Sequence, residues 1–435
     1  MRVSYALGGK AVAIACATLA LVLPVSAHIE AVEPQAGTYS LTELEERAVA
    51  ADPGVAAAAA DVKAEQGAAS QATKWSNPIV GYLGEDIRTG PPTDGGQHGV
   101  FVEQIVPLGG KLHVRRDALL QAATIAEARL AGARATARRR ARTACAGVLV
   151  ADERLRLARG WSDLLGESVL IARQRYNVGS ADRPDLLDAE AEASSAALEL
   201  RAAETDRDAA WRRLARAVGD PALPRRPLAA TLEDIPPLAG RDAAWDAVLR
   251  SNPVVAEAAR RAAAADASIA TARHDATPDL RVRGGAVYDR ARDTSSSDRI
   301  GWEGRVEVGV TVPLWNRNAG GIAGAEAAQL SARAGVAVAT KGLEREFDDT
   351  YTAFSKASDA ARTYRDEILP RAQQAADLYL ARYREMAGGY PEVLLARRAL
   401  GDARVRYVAA LEQGWQLAIA LQSGLADSGD QSVPR

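Results

Sequence analysis

The sequence predicts a mainly α-helical chain with a membrane β-barrel, built from a duplicated helix-strand-strand-helix-helix unit. Three observations predict it. Long alanine-rich runs carry almost no proline, four short segments read as strands, and the order of these elements recurs about two hundred residues later. The clearest strand is "RVEVGVTV" from Arg305, in which Val306, Val308, Val310 and Val312 share one side and Arg305, Glu307, Gly309 and Thr311 the other.

The chain opens on "MRVSYALGGKAVAIACATLALVLPVSAHIE": basic Arg2 and Lys10, an apolar run from Ala11 to Leu23, and small residues ending at Ala27. That order predicts a secretory signal over residues 1–27. Cys16 sits too early for a lipoprotein site, with apolar residues still to follow and no leucine three places before it. Removal of the signal leaves Cys145 as the one cysteine, which excludes an intramolecular disulfide and reads as a small buried thiol. No later apolar run reaches 18 residues, so any membrane contact falls to strands. With 435 residues, 48% hydrophobic and 25% charged, the composition is that of a folded chain, and a formal charge of -2 gives no basic surplus for nucleic acid.

The duplication sets the domain organisation. "ADPGVAAAAADVKAEQGAA" from Ala51 aligns with "SNPVVAEAARRAAAADASI" from Ser251, placing Pro53 and Pro253 at equivalent positions. "FVEQIVPLGGK" around Pro107 matches "VEVGVTVPLWNRN" around Pro313, and "ARQRYNVGSADRPDLLDAE" matches "LARYREMAGGYPEVLLARRA". The predicted divisions are a first repeat over residues 28–219, a proline-rich linker over 220–240, a second repeat over 241–426, and a tail over 427–435.

The leading helix of each repeat is expected near residues 41–74 and 242–275. The long helix of the first repeat runs from about Val114 to Gln174, roughly 90 Å at 1.5 Å per residue. Its counterpart runs from about Ala323 to Glu385, interrupted by Pro370. A shorter helix returns from each turn, and the lengths predict that two short helices stack end to end beside one long helix. Seam positions support this: Leu186, Ala189, Ala193, Ala196, Leu200, Ala203, Ala210, Leu214 and Ala217 keep a 3-4 spacing broken by Arg207. Val393, Ala396, Leu400, Ala403, Tyr407, Ala410, Gly414, Leu417 and Leu421 do the same in the second repeat.

The four strands are expected at about 78–87, 100–107, 279–288 and 305–312, each near the length that crosses a bilayer when tilted. The turns "RTGPPTDGGQ" and "DRARDTSSSDR" are long and polar, as external loops are. Trp302 and Trp315 bracket the fourth strand and fit either membrane interfaces or packing at the strand ends. Four strands cannot close a barrel and lipid tolerates no open edge, so the chain must oligomerise; three copies supply twelve strands.

On the paired motifs "EQIVPLGGK" and "VTVPLWNRNAGGIAGAEA", with "RYNVGSADRPDLLDAE" and "RYREMAGGYPEVLLA", the chain resembles the TolC family of outer-membrane efflux proteins over nearly its whole mature length. "PLGGK" with "PLWNRNAGGI" is most similar to the heavy-metal branch, the cobalt-zinc-cadmium resistance type. The resemblance implies a homotrimer in which a 12-stranded β-barrel in the outer membrane continues into a long periplasmic α-helical barrel. It implies strand-to-helix elbows at Pro107, Gly109 and Gly110 and at Pro313, Gly320 and Gly321. It also implies a periplasmic tip, in contact with an adaptor protein, at Arg175, Tyr176, Gly179, Arg382, Tyr383 and Gly388. Asp185, Asp188 and Glu392 stand where the family carries acidic gate residues; Leu395 replaces a further acid, which makes Glu392 the better gate candidate. An acid in a helix's first turn is also favoured by the dipole alone.

The rest of the chain carries no motif for catalysis or ligand binding. His28, His98, His113 and His274 have no ligand spacing, and the two methionines do not make a soft-metal path. "LGGKLH" lacks the phosphate-loop spacing, with Leu112 where Ser or Thr is required, and no nucleophile motif occurs. The expectation is a channel and not an enzyme, without catalytic residues, metal site or cofactor. It is a passive duct fed through a periplasmic adaptor (membrane fusion) protein by an inner-membrane transporter of RND type, exporting heavy-metal cations. A protein-secretion or multidrug duct of the same family is the nearest alternative; a periplasmic coiled-coil scaffold is the alternative of another class.

Overall fold

The computed structural model describes residues 37–87, 96–179, 182–292, 299–385 and 390–425; the signal segment, the tail over 427–435 and Gly388 lie outside them. The elements are α1 (Leu41–Ala51), α2 (Pro53–Gln71), β1 (Ile79–Glu85), β2 (Gln97–Pro107), α3 (Lys111–Asn177) and α4 (Arg183–Val218). The order then repeats as α5 (Arg241–Ser251), α6 (Pro253–Asp275), β3 (Asp279–Arg292), β4 (Arg299–Val310), α7 (Ala319–Thr363), a π-helical turn (Tyr364–Ile368), α8 (Leu369–Arg384) and α9 (Tyr390–Gln422).

Each leading helix is two helices, where the periodicity alone predicts one. Pro53 and Pro253 have no N–H to donate and force the preceding residue out of the helical region. Asp52 (φ -73, ψ 119) and Asn252 (φ -69, ψ 119) are accordingly extended, and each restarts the chain as an N-cap. Asp52 Oδ1 accepts from Gly54 N–H at 2.7 Å and Val55 N–H at 3.1 Å, and Asn252 Oδ1 accepts from Val255 N–H at 2.8 Å. Asn252 is buried, and its Nδ2 donates to Gly424 O at 2.8 Å, tying the break to the end of α9.

Helix α3 is continuous for 67 residues, about 100 Å. Helices α2 and α4 pack along it from its own repeat, as the lengths predict, and α6 and α9 pack on it from the second repeat. All nine seam positions in α4 and all nine in α9 are buried or half-buried. Arg207, the irregular seam position, is accommodated because its Nε donates to Asp152 Oδ1 at 2.5 Å across the α3–α4 contact. Midway along, Tyr39, Leu44, Val148, Trp211, Leu214 and Val218 form one apolar cluster with Cys145. The linker lies over a second cluster, where Trp415 Nε1 donates to Leu232 O at 2.7 Å beside Tyr407, Leu411 and Ile419.

Burial pushes the Cys145 thiol up to about 12, with the Glu45 carboxylate adding to the shift. The thiol therefore stays protonated throughout the working range, and a thiolate-selective maleimide at pH 8 is expected to label the folded protein negligibly and the denatured chain fully. Rapid labelling of the folded protein would contradict the packing around Cys145.

The second long helix is not the straight counterpart of the first. Pro370 removes one helical donor and its ring crowds the carbonyl four residues earlier. The chain absorbs this one turn upstream: Leu369 N–H donates to Tyr364 O, five residues back, across the π-helical turn.

The sheet has the order β1-β2-β3-β4, antiparallel throughout. Strands β3 and β4 run past the expected Tyr288 and Arg305 toward their turn, because Asp289↔Gly301 and Arg292↔Arg299 continue the pairing across a register shift. The register separates two faces. One carries Val80, Tyr82, Val100, Val102, Leu280, Val282, Tyr288, Trp302, Val306, Val308 and Val310; the other carries Glu85, Gln97, Glu103, Arg281, Arg283, Asp289, Glu303, Arg305 and Glu307. The first pair of strands alternates less cleanly than the second: Ile79, Leu83, Phe101 and Ile105 share the charged face, and His98 and Gln104 share the apolar one. Arg305 of β4 bonds Glu85 of β1. Three strand spacings are about 14 Å, beyond the reach of one arginine over a flat sheet, so the sheet is coiled with the charged face inside.

Candidate functional site

At the tip of the first repeat, α3 ends with Val178 N–H donating to Gln174 O at 3.2 Å and Gly179 N–H to Tyr176 O at 3.0 Å. Gly179 has φ 74, the left-handed region where a side chain is strained, which gives this glycine a local reason to be there. Arg175 and Tyr176 lie exposed on the last turn of α3. Helix α4 restarts at Asp182 with Pro184 in its first turn; Asp185 and Asp188 are exposed on its first two turns. In the second repeat Arg382 and Tyr383 belong to the last turn of α8, and Glu392 is exposed in the first turn of α9 with Leu395 exposed one turn on. Among the described residues Asp185, Asp188 and Glu392 make no ion pair, so the three acids face solvent individually.

What joins the two tips is a different pair. Arg173 Nη2 donates to Glu190 Oε1 at 2.7 Å within the α3–α4 hairpin, whereas Arg398 of α9 pairs with Glu192 of α4 and crosses from one repeat to the other. Nothing in the sequence around Glu192 sets it apart from the other acids of α4.

At the first elbow Pro107 is the last residue of β2, paired with Asp279, and Gly109 (φ 67) and Gly110 (φ 73) are both left-handed. A Cβ on Gly109 would approach the Thr277 side chain to 3.1 Å, and His274 Nδ1 lies 2.9 Å from Gly109 O. Lys111 Nζ donates to Asp279 Oδ1 at 2.8 Å, fixing the start of α3 to the start of β3. At the second elbow the expectation for the glycines is corrected. Pro313 does stand just beyond the ladder, whose last bond is Thr311 N–H to Asp279 O at 3.1 Å. Gly320 and Gly321, however, are already inside α7, and the left-handed residue is Asn318 (φ 55). Asparagine tolerates this region better than most side chains, and here its Nδ2 is held by donating to Ala272 O of α6 at 2.8 Å. Gly321 is small for another reason: a Cβ there would sit 2.3 Å from Asn318 Oδ1. Gly320 meets no such constraint.

The histidines stay apart. His98 bonds the Tyr82 hydroxyl on the apolar face of the sheet, His274 is at the first elbow, His113 is exposed on α3, and His28 lies outside the described residues. Among the described residues no cluster of three or more His, Cys, Asp or Glu side chains could hold a metal ion, and no helix is long and apolar enough to cross a membrane.

Residues 44–220 and 245–426 match the family described as outer membrane efflux protein, once for each pass of the element order. The chain belongs to the outer membrane efflux protein family. The cobalt-zinc-cadmium resistance protein CzcC of Cupriavidus metallidurans is 27% identical over 398 residues, covering 89% of this chain and 90% of CzcC. Among solved structures, CusC aligns with a TM-score of 0.72 at 17% identity, over 88% of this chain and 91% of CusC. The outer membrane protein VceC of Vibrio cholerae aligns at 0.70 and 20% identity, over 88% and 95%. The open state of the MtrE outer membrane channel of Neisseria gonorrhoeae aligns at 0.70 and 18%, over 88% of both chains. As an outer membrane efflux protein the chain resides in the outer membrane. The CusC and MtrE structures are those of membrane channels, and the TolC-type fold expected from the paired motifs is the fold observed.

Proposed function

We propose that the chain is the passive outer-membrane duct of a tripartite efflux assembly and works as a homotrimer. The observation that carries this is the sheet: β1 and β4 are edges in the strand order, one face is mainly apolar and the other carries the charged ladder residues, and the charged face is the inner one. Closing three such sheets edge to edge places the valines of β4 against lipid, the ion pairs Arg281–Glu103 and Arg283–Glu307 in the lumen, and leaves no open edge. The helices support the same closure. Helix α3 has short helices on both sides, whereas α7 has α6 and α9 on one side and leaves Leu330 and Val338 exposed. The face of α2 and α4 from a second copy matches the side that α7 lacks, and the helices then form a barrel across the periplasm.

On this reading the tip residues Arg175, Tyr176, Arg382 and Tyr383 meet a periplasmic adaptor, and an inner-membrane transporter of RND type supplies the energy. The similarity to a cobalt-zinc-cadmium resistance protein along nearly the full length supports divalent heavy-metal cations as cargo. Such cargo needs no high-affinity site in a wide water-filled path; three copies of Glu392 near the axis would raise the local cation concentration at the tip. Glu392→Gln is expected to lower the cation preference of single channels in planar bilayers, and unchanged preference would remove Glu392 from the gate.

The reading as a whole is tested by growth of a deletion strain and its complemented parent on zinc, cobalt, cadmium, copper and silver salts beside dyes and antibiotics. Complemented sensitivity to metals alone is the expected result. Sensitivity to organic compounds alone would overturn the cargo, and release of the protein from membranes by carbonate would overturn the duct.

A further inference from the structure

On the charged face of the sheet two residues of β3 are shut away from solvent. Val287 is 0% exposed and Asp289 6% exposed, with Gln97 Nε2 donating to Asp289 Oδ2 at 2.8 Å. What closes the roll over them is Arg305 of β4, whose guanidinium donates to Glu85 of edge strand β1 and to Gln97 of β2. This tie does not follow a row of the sheet. The register sets Arg305 level with Gly285, Phe101 and Gly81, so its partner on β1 stands four residues beyond its own row. That offset is the stagger of a barrel. Strands tilted by about 40° and spaced by about 4.8 Å displace a row by about 16 Å, or about five residues, over four steps. Only an even offset keeps inward side chains inward, and four is the one the chain displays.

We propose that Arg305 is an assembly latch: in the lone chain it holds Glu85 of its own β1, and on assembly it exchanges this for Glu85 of the next copy. This rests on the homotrimer reading. In a ring of three, β4 of one copy meets β1 of the next after the same four steps. A stagger of four then sets Arg305 directly opposite Glu85 of that copy, as the roll of one chain already brings the two together. The exchange keeps one such pair per chain before and after, so the roll opens without stranding the guanidinium. Until a second copy arrives, the latch turns the two edges toward each other and away from other strands, whose pairing an open edge invites. Arg281 and Arg283 differ in this respect, because their partners Glu103 and Glu307 lie on adjacent strands of the same chain and stay in place.

Charge reversal in separate chains tests the exchange, read on the full-length protein as the trimer band that survives an unheated denaturing gel. Arg305→Glu alone and Glu85→Arg alone each put like charges at all three seams. Either is expected to lower the assembly constant about a hundredfold, up to about fivefold for each of three pairs, and to lose the band. Coexpressed with different tags, the two variants are expected to recover it as mixed trimers. Two of the three seams then bring opposite charges together, whereas each chain still carries like charges within itself. Recovery in one chain carrying both reversals, with none on coexpression, would overturn the proposal, the tie then belonging within a chain. Parent-like trimers from both single variants would also overturn it and leave the trimer standing; no trimer from the parent would instead remove the homotrimer reading. Arg305→Cys with Glu85→Cys keeps the test open if the reversed chains fail to fold. Opposite residues on paired strands lie about 5 Å apart at Cα, within disulfide reach, and the native Cys145 is buried. Oxidation of the assembled protein is expected to link the copies covalently, and crosslinks confined to single chains would sink the exchange.

Discussion

Glu192→Gln is expected to open the tip. The Arg398–Glu192 pair is the ionic tie between the first-repeat hairpin and the second-repeat hairpin near their turns, and it is partly exposed on both sides. Such a pair contributes up to about 1 kcal/mol. Three pairs released together in a trimer would amount to about 3 kcal/mol, on the order of a hundredfold in the ratio of open to closed tips. Single-channel recording should show frequent excursions to a larger conductance, and cells should admit large antibiotics that the parent excludes. Arg173→Gln is the matched control: it breaks the pair with Glu190 inside one hairpin and leaves the tie between hairpins in place. Equal conductance in the two variants would show that Arg398 and Glu192 do not hold the tip.

Asn252→Leu is expected to be among the most destabilising single changes in the helical region. The side chain is 3% exposed, accepts from Val255 N–H and donates to Gly424 O. Leucine would leave both backbone groups buried without partners and would remove the cap of α6, a loss of about 2–4 kcal/mol. Asp52 holds the equivalent place in the first repeat, yet its bond to Gly54 is exposed, its bond to Val55 is half-buried, and its other partner is the exposed Arg140 at 3.5 Å. Asp52→Ala should therefore cost about 1 kcal/mol, the ordinary value for an N-cap. The temperature at which the assembled protein dissociates on a denaturing gel orders the two, and a larger shift for Asp52→Ala would contradict the assignment.

The difference between these two caps illustrates where sequence reading succeeds and where it stops. Pro53 and Pro253 align the repeats by eye, but the strings "ADPG" and "SNPV" do not reveal that the second cap is sealed by the carbonyl of Gly424, which lies 172 residues away. The long helix α3 and the seams of α4 and α9 were legible because they depend on spacing within one segment, and period alone specifies a helical face. The faces of β1 and β2 were obscured by Gly81, Gly84 and Gly99, which interrupt the alternation. Gly99 is small because a Cβ would come within 2.4 Å of Ala286 O on the neighbouring strand, a reason visible only after the strands are paired. The second elbow misled for a related cause. Glycine is the usual residue at positive φ, so Gly320 and Gly321 drew the expectation, while Asn318 takes the position through a bond to Ala272 of a helix distant in sequence. At the tip, the acids in the first helical turns attract notice, and the tie that joins the hairpins comes from Glu192, which has no local mark.

The π-helical turn at Tyr364–Ile368 has a consequence for how the second repeat is wound. An α-helix advances about 100° per residue, so one residue accommodated in a widened turn rotates everything after it by about that angle relative to an unbroken helix. Helix α8 can thus point a chosen side at α9 without inheriting the phase that α7 needs for its own neighbours nearer the sheet. The first repeat, with 67 unbroken residues in α3, has to satisfy both ends with a single winding. A sequence change that alters the hand or pitch of the second-repeat hairpin can therefore be absorbed at Tyr364–Ile368 without turning the part of α7 nearer the sheet, a freedom the first repeat does not have.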